Sequence, residues 1–193
     1  GLAASGNGNI ATFNGVNTGT APVTATIVVT PTFTNGGVSC AGPTKTFTIT
    51  VNPTVTVNPE NDQVVCNGGG STTINFSTTA TGGTTTYTWT NDKPTNGLAA
   101  NGTGNIASFT AVNNGTAPDT ATIIVTATIT MAGVSCVGAK DTFLIIVNPS
   151  AVVNAVNNQV VCNGTAVSAI NFGTTNTGGT VTYAWTNNTT SIG

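Results

Sequence analysis

Thr120-Ala121-Thr122-Ile123-Ile124-Val125-Thr126-Ala127-Thr128-Ile129 repeats its polarity every second residue, with Ala121, Ile123, Val125, Ala127 and Ile129 on one face and mainly Thr on the other. That is the pattern of a half-buried antiparallel strand, apolar toward a core and polar toward solvent. The same alternation runs through Phe143, Ile145 and Val147, through Ile74 and Phe76, and through Tyr87 and Trp89. Between these runs stand turn-forming clusters, Asn67-Gly68-Gly69-Gly70, Thr81-Gly82-Gly83, Asn113-Asn114-Gly115 and Met131-Ala132-Gly133. No segment sustains an apolar period of 3.6, so helix content should be minimal. Short strands, frequent turns and about a hundred residues per unit predict an all-β, immunoglobulin-like sandwich.

The chain matches itself. Gly1-Leu2-Ala3-Ala4-Ser5-Gly6-Asn7-Gly8-Asn9-Ile10 returns as Gly97-Leu98-Ala99-Ala100-Asn101-Gly102-Thr103-Gly104-Asn105-Ile106, an offset of 97 − 1 = 96. That offset carries Cys40 to Cys136, Pro53 to Pro149, Cys66 to Cys162, Tyr87 to Tyr183 and Trp89 to Trp185 without a gap, and roughly 60% of aligned positions are identical. Gly193 continues the series Gly1 and Gly97, so both ends read as cuts, with further repeats expected on each side.

Strand patterning sets the frame of the unit. Val51-Asn52-Pro53 and Val147-Asn148-Pro149 each close a strong strand, and Pro cannot donate to a continuing ladder, which makes these the expected joints. Residues 54–149 then form one complete repeat. Residues 1–53 are the C-terminal part of the preceding one and residues 150–193 the N-terminal part of the next. A partial sandwich exposes its core face and an unpaired edge, so ordered amides should concentrate within 54–149 unless the chain self-associates.

Charge narrows the possible partners. Three Lys (Lys45, Lys93, Lys140) and five acidic residues make the chain only 4% charged, with no Arg and no His. So few cations provide no groove for a phosphate backbone and no polybasic stripe for an anionic bilayer, which argues against nucleic acid and membrane surfaces. No window holds the roughly 20 continuous apolar residues of a spanning helix. Thr, roughly a fifth of the chain, supplies much of the surface polarity instead.

Taken together, Gln63-Val64-Val65-Cys66-Asn67-Gly68, Tyr87-Thr88-Trp89-Thr90-Asn91, Gly97 to Ile106, Gly133-Val134-Ser135-Cys136 and Thr142-Phe143-Leu144-Ile145-Ile146-Val147-Asn148-Pro149 resemble the PKD-like, immunoglobulin-like tandem repeats of giant Bacteroidetes surface proteins. The resemblance covers the whole chain and is specific to the repeat type. It implies a long exported array, similar to the gliding-motility and surface adhesins of the type IX secretion system, placed at the cell surface or outside the cell. Such repeats act as spacers or filament bodies. The resemblance assigns them no catalytic residue, cofactor or metal.

In an exported protein one Cys pair per repeat favours disulfides over metal ligation, for which CxxC or His spacing is missing. Four cysteines allow three pairings. Cys66 with Cys136, inside the frame, is the favoured one, leaving Cys40 and Cys162 to partners in adjoining repeats. Cys40 with Cys66 and Cys136 with Cys162 would staple neighbours instead, and free thiols are the remaining possibility. Trp89 and Trp185, each two residues after a Tyr (Tyr87, Tyr183), are expected in the core, in the manner of the buried Trp of immunoglobulin-like sandwiches. Gly102-Thr103-Gly104 and Gly6-Asn7-Gly8 lack the following helix of a phosphate loop and read as turns. Glu60 and Asp62 are the only closely spaced carboxylates, and they become Val156 and Asn158 one repeat later, which argues against an acid/base pair or a calcium site. Asp119-Thr120-Ala121 resembles the Bacteroidetes O-glycosylation motif and makes Thr120 the candidate for a sugar.

These readings predict a structural stalk or filament segment whose partners are neighbouring copies of the repeat. A ligand-binding module, using the Thr rows of its strands on glycans, other cell surfaces or ice, is the alternative. Catalysis is not expected, since a chain without His or Arg lacks the usual acid, base and oxyanion groups.

Overall fold

A computed structural model describes residues 1–192. The chain is all-β, and among the described residues helix is confined to two single 3₁₀ turns, Pro94–Asn96 and Thr190–Ile192. Nine strands occur among the described residues: β1 (Val23–Val29), β2 (Thr32–Asn35), β3 (Val38–Ala41), β4 (Lys45–Val51), β5 (Gln63–Cys66), β6 (Thr84–Asn91), β7 (Asn101–Thr103), β8 (Asp119–Met131) and β9 (Val134–Asn148).

The decisive stretch is the centre of β8. It lies inside a five-stranded sheet of order β5-β9-β8-β6-β7, antiparallel throughout except that β5 runs parallel to the end of β9. Its apolar face, Ala121, Ile123, Val125, Ala127 and Ile129, is completely buried, as the period of two predicts. Phe143, Ile145 and Val147 of β9 and Trp89 of β6 bury on the same side. Across this core lies a second layer with fewer ladder bonds. Ile74 and Ile106 exchange both backbone hydrogen bonds (2.9 and 3.0 Å), and Ser71 and Ala111 donate to Phe109 and Gly69. Val55, Val57, Phe76 and Leu98 complete its inner surface. The alternation at Ile74 and Phe76 thus marks the buried face correctly but forms only isolated bridges. Hydrogen bonds such as Asn105 Oδ1 accepting from the Phe76 N–H (3.0 Å) hold it in place of a full ladder.

Among the described residues every buried apolar side chain lies between Pro53 and Val147. Outside that interval, residues of the same identity 96 positions away are half-buried or exposed. Ile106 is 1% exposed and Ile10 45%; Phe143 is 2% exposed and Phe47 45%. The N-terminal segment forms the β1–β4 pair, which repeats the β8–β9 register, Val23 opposite Val51 where Asp119 opposes Val147. No strand forms in residues 150–192. The difference is physical: the inward-facing residues of these strands are largely the same, but no layer covers them, and an isolated hairpin buries too little to form a core.

One carboxylate beside this core is held out of its ordinary range. Burial, and then the charge of Asp141, push the Glu60 carboxyl upward. A raised folded-state value means that protonation favours the folded state, so Glu60 destabilises above that value and the penalty is relieved as pH falls through it. Glu60→Gln should therefore raise stability at pH 7, by no more than about 0.5 kcal/mol for a group this accessible, and change nothing at pH 3.5. Thermal melts of both proteins at the two pH values check this.

Candidate functional site

The structure sorts the expected site residues clearly. Trp89 is 7% exposed, and its ring lies on Gly102 of β7. Tyr87 is partly buried and meets Phe76 at 5.6 Å between ring centroids. Tyr183 repeats that contact with Phe172, also at 5.6 Å. Trp185 does not follow Trp89: it is 73% exposed, and the expectation of a second core Trp is corrected. Trp89 is covered by pairing of β6 with β7 and β8, and no strand forms around Trp185 among the described residues.

The cysteines need a second correction. All four are free, and the favoured Cys66–Cys136 pair is not brought together. Cys66 lies opposite Asn148 on β9, and Cys136 lies 148 − 136 = 12 residues back along the same strand. At about 3.3 Å per residue that separation is roughly 40 Å, far beyond the roughly 7 Å between Cα atoms that a disulfide tolerates. Cys40 occupies the matching place on the β2–β3 hairpin, and Cys162 is exposed. Thr120 is exposed near the start of β8 and accessible to a modifying enzyme. Among the described residues no cluster of three His, Cys, Asp or Glu could hold a metal, and no helix is long and apolar enough to cross a membrane.

Two surfaces remain as candidates. The first is the outer face of the five-stranded sheet. Thr84, Thr86 and Thr88 of β6 stand opposite Thr130, Thr128 and Thr126 of β8, and Thr103 of β7 stands beside Thr88. These rows set threonine hydroxyls side by side on strands spaced about 4.8 Å apart.

The second is the pair of joints, which sequence reading placed only by their prolines. β4 ends at Val51 and β9 at Asn148, just before Pro53 and Pro149. Beyond the strand ends the contacts are the same twice. The Thr81 N–H donates to the Thr20 carbonyl (2.7 Å), and the Thr177 N–H donates to the Thr116 carbonyl (2.9 Å). Gly82, at φ +88°, seats against Pro22, and Gly178, at φ +76°, against Pro118. A Cβ on either would lie 2.9 or 2.8 Å from the proline Cδ, so only glycine fits both the space and the backbone conformation. Each joint is also tied from within. Asn17 Nδ2 donates to the carbonyls of Val51 and Ala21 (both 2.8 Å), as Asn113 Nδ2 does to those of Val147 (2.7 Å) and Ala117 (2.9 Å). The signal for these joints was present in the sequence as Ala-Pro (Ala21-Pro22, Ala117-Pro118) and Gly-Gly (Gly82-Gly83, Gly178-Gly179) dipeptides at the common offset.

An all-β chain with one closed core and two matching joints is the class of protein defined so far. Comparison with protein-family models, with curated proteins and with solved structures finds no match to this chain.

Proposed function

We propose that this chain is a segment of an extracellular or cell-surface array of immunoglobulin-like, PKD-like sandwiches of 96-residue period, and that it works as a rigid spacer or fibre body in a stalk, adhesin or filament. The observation that carries this reading is the repetition of the joint. The same hydrogen bond, the same Gly-on-Pro contact and the same Asn clamp occur at both ends of the central unit. Identical joints give identical rotation and advance at each step, which is how a repeat sequence becomes a regular rod. The sheet order β5-β9-β8-β6-β7, with a parallel edge strand and a buried Trp on β6, supports the immunoglobulin-like assignment. On this reading residues 54–149 are one unit, flanked by parts of two others, its partners are further copies of itself, and it has no catalytic role.

Scattering or electron imaging of the chain tests the rod. One unit per 96 residues should advance it by roughly 35–45 Å if strands such as the 13-residue β8 run along the rod. A flexible chain without a fixed spacing contradicts the reading. The joint itself gives a sharper prediction. Gly178→Val should leave the melting of the central unit within about 1 kcal/mol, because residue 178 lies outside residues 54–149, while broadening the distribution of end-to-end distances. Spin-label distance measurements across each joint read that directly.

The threonine lattice supports a second reading, a binding face for glycans or ice. Its hydroxyls are regular in two directions, and Thr84, Thr86 and Thr88 are exposed. Glycan-array binding or thermal hysteresis that disappears in a Thr86→Val/Thr88→Val double variant would favour it.

A further inference from the structure

The closed central unit has a flank that its own ladders do not finish. β5 is the outer strand of the order β5-β9-β8-β6-β7 and pairs with β9 on one side only. The chain reaches β5 by crossing between the layers. The Asn58 N–H donates to the Ser77 carbonyl (2.9 Å) in the second layer, and Asp62 Oδ1 accepts from the Leu144 N–H (2.7 Å) on β9. Past that crossing, the beginning of the second layer has to be met by something else. Ser71 and Ile74 turn their N–H groups inward, to the carbonyls of Phe109 and Ile106. Thr72, between them, turns its backbone outward.

The group that meets it is a side chain. Gln63 Nε2 donates to the Thr72 carbonyl (3.2 Å), and the Thr72 N–H donates to Gln63 Oε1 (3.1 Å). A residue in an antiparallel ladder exchanges the same two bonds with the residue opposite it. The carboxamide, which has the donor and acceptor of a peptide group, therefore fills the place of a neighbouring strand at Thr72. The contact recurs 96 residues on. Gln159 Nε2 donates to the Ser168 carbonyl (3.0 Å), and the Ser168 N–H donates to Gln159 Oε1 (2.8 Å). Thr72 becomes Ser168 without loss, because only the backbone of that residue is used.

The flank needs such a contact because the usual protections of a sheet edge are missing. Charged side chains and prolines are what keep an exposed edge from pairing with another chain. Neither occurs anywhere from Gln63 to Asn91. Thr72 and Thr73 are exposed, next to the strand-favouring Ile74 and Phe76. A second copy is the partner that this flank fits. One free N–H and one free carbonyl on the same residue match their own image about a two-fold axis, and no charge on the segment opposes the approach.

We propose that the Gln63 amide is an autoinhibitory contact, which occupies the backbone of Thr72 and so keeps the same flank of a second copy from adding to it as an antiparallel strand. It makes side-by-side pairing of units unfavourable without using charge. The inference stands on the central unit alone and does not require the array reading.

The test is residue-resolved amide exchange of the whole chain at two concentrations, with sedimentation alongside. In Gln63→Met, similar in shape but unable to make either bond, Thr72 should exchange roughly 10-fold faster than in the wild type when dilute. At high concentration its exchange should slow again and the protein should sediment as a larger species than the wild type. Adding Thr72→Lys, which sets like charges across a two-fold pair, should restore the wild-type sedimentation. Gln63→Glu keeps the question open to measurement if Gln63→Met fails to fold. Its protonated carboxyl can accept from the Thr72 N–H and donate to the Thr72 carbonyl, so Thr72 should be protected at about pH 3.5 and, corrected for intrinsic exchange, lose that protection at about pH 7. Thr72 exchanging as fast in the wild type as in Gln63→Met overturns the proposal. So does a Gln63→Met protein whose Thr72 exchange and sedimentation do not respond to concentration, or a Gln63→Glu protein whose Thr72 protection does not respond to pH.

Discussion

Phe143→Ala should destabilise the protein by about 3–5 kcal/mol, while Phe47→Ala, the same change 96 residues earlier, should cost less than about 1 kcal/mol in the monomer. Phe143 is fully packed, on β9 beside Ile123 of β8 and 6.3 Å from the Phe76 ring, so truncation removes apolar contact and leaves a cavity that the surrounding strands cannot fill. Phe47 has the matching partner, Ile27 on β1, but nothing covers the pair. The two residues follow a Thr, precede an Ile by two positions and have the same cross-strand partner type, Ile27 for Phe47 and Ile123 for Phe143. The expected difference comes wholly from the layer on the other side of the core. Denaturant melts of the two variants at low concentration measure it. Equal losses would mean that the first segment has a closed core of its own.

A larger effect is expected at Gly138 in β9. A Cβ there would overlap the carbonyl of Val55, and the Val55 side chain is only 3.0 Å away, so both the backbone and the apolar anchor of the second layer would have to move. Gly138→Val should therefore release the segment around Val55 and Val57, two buried residues, and remove most of the stability of the central unit. Gly42→Val provides the internal control. Its Cβ would meet only the Pro31 ring, at 3.1 Å from Cγ, and that contact can yield by a few tenths of an ångström. Chemical denaturation should show loss of the cooperative transition in the first variant and its retention in the second. A cooperative, near-native Gly138→Val protein would contradict the packing of residues 54–58 against β9.

Strand positions were legible because period-two alternation is local. Ala121 to Ile129 announce a buried face, and that face is buried. Burial of a whole segment was not legible from alternation, because it depends on which distant segment lies across it. Trp89 and Trp185 have almost the same local sequence and opposite exposures for that reason. The cysteine pairing failed for a related cause. Two cysteines per repeat suggest a bridge, but Cys66 enters the sheet parallel to the last residues of β9, and no local pattern reveals that register. The bonds from Thr81 to Thr20 and from Thr177 to Thr116 span about 60 residues and follow only from the folded arrangement.

The central claim is that one closed sandwich-like unit stands between two incomplete and complementary segments. Residue-resolved amide hydrogen exchange on the dilute, monomeric chain tests it most directly, since protection reports local stability. Slow exchange should be confined to residues 54–149, strongest in β8 and the second half of β9, with fast exchange in residues 1–22 and 150–192. Uniform protection along the whole of a proven monomer would contradict it.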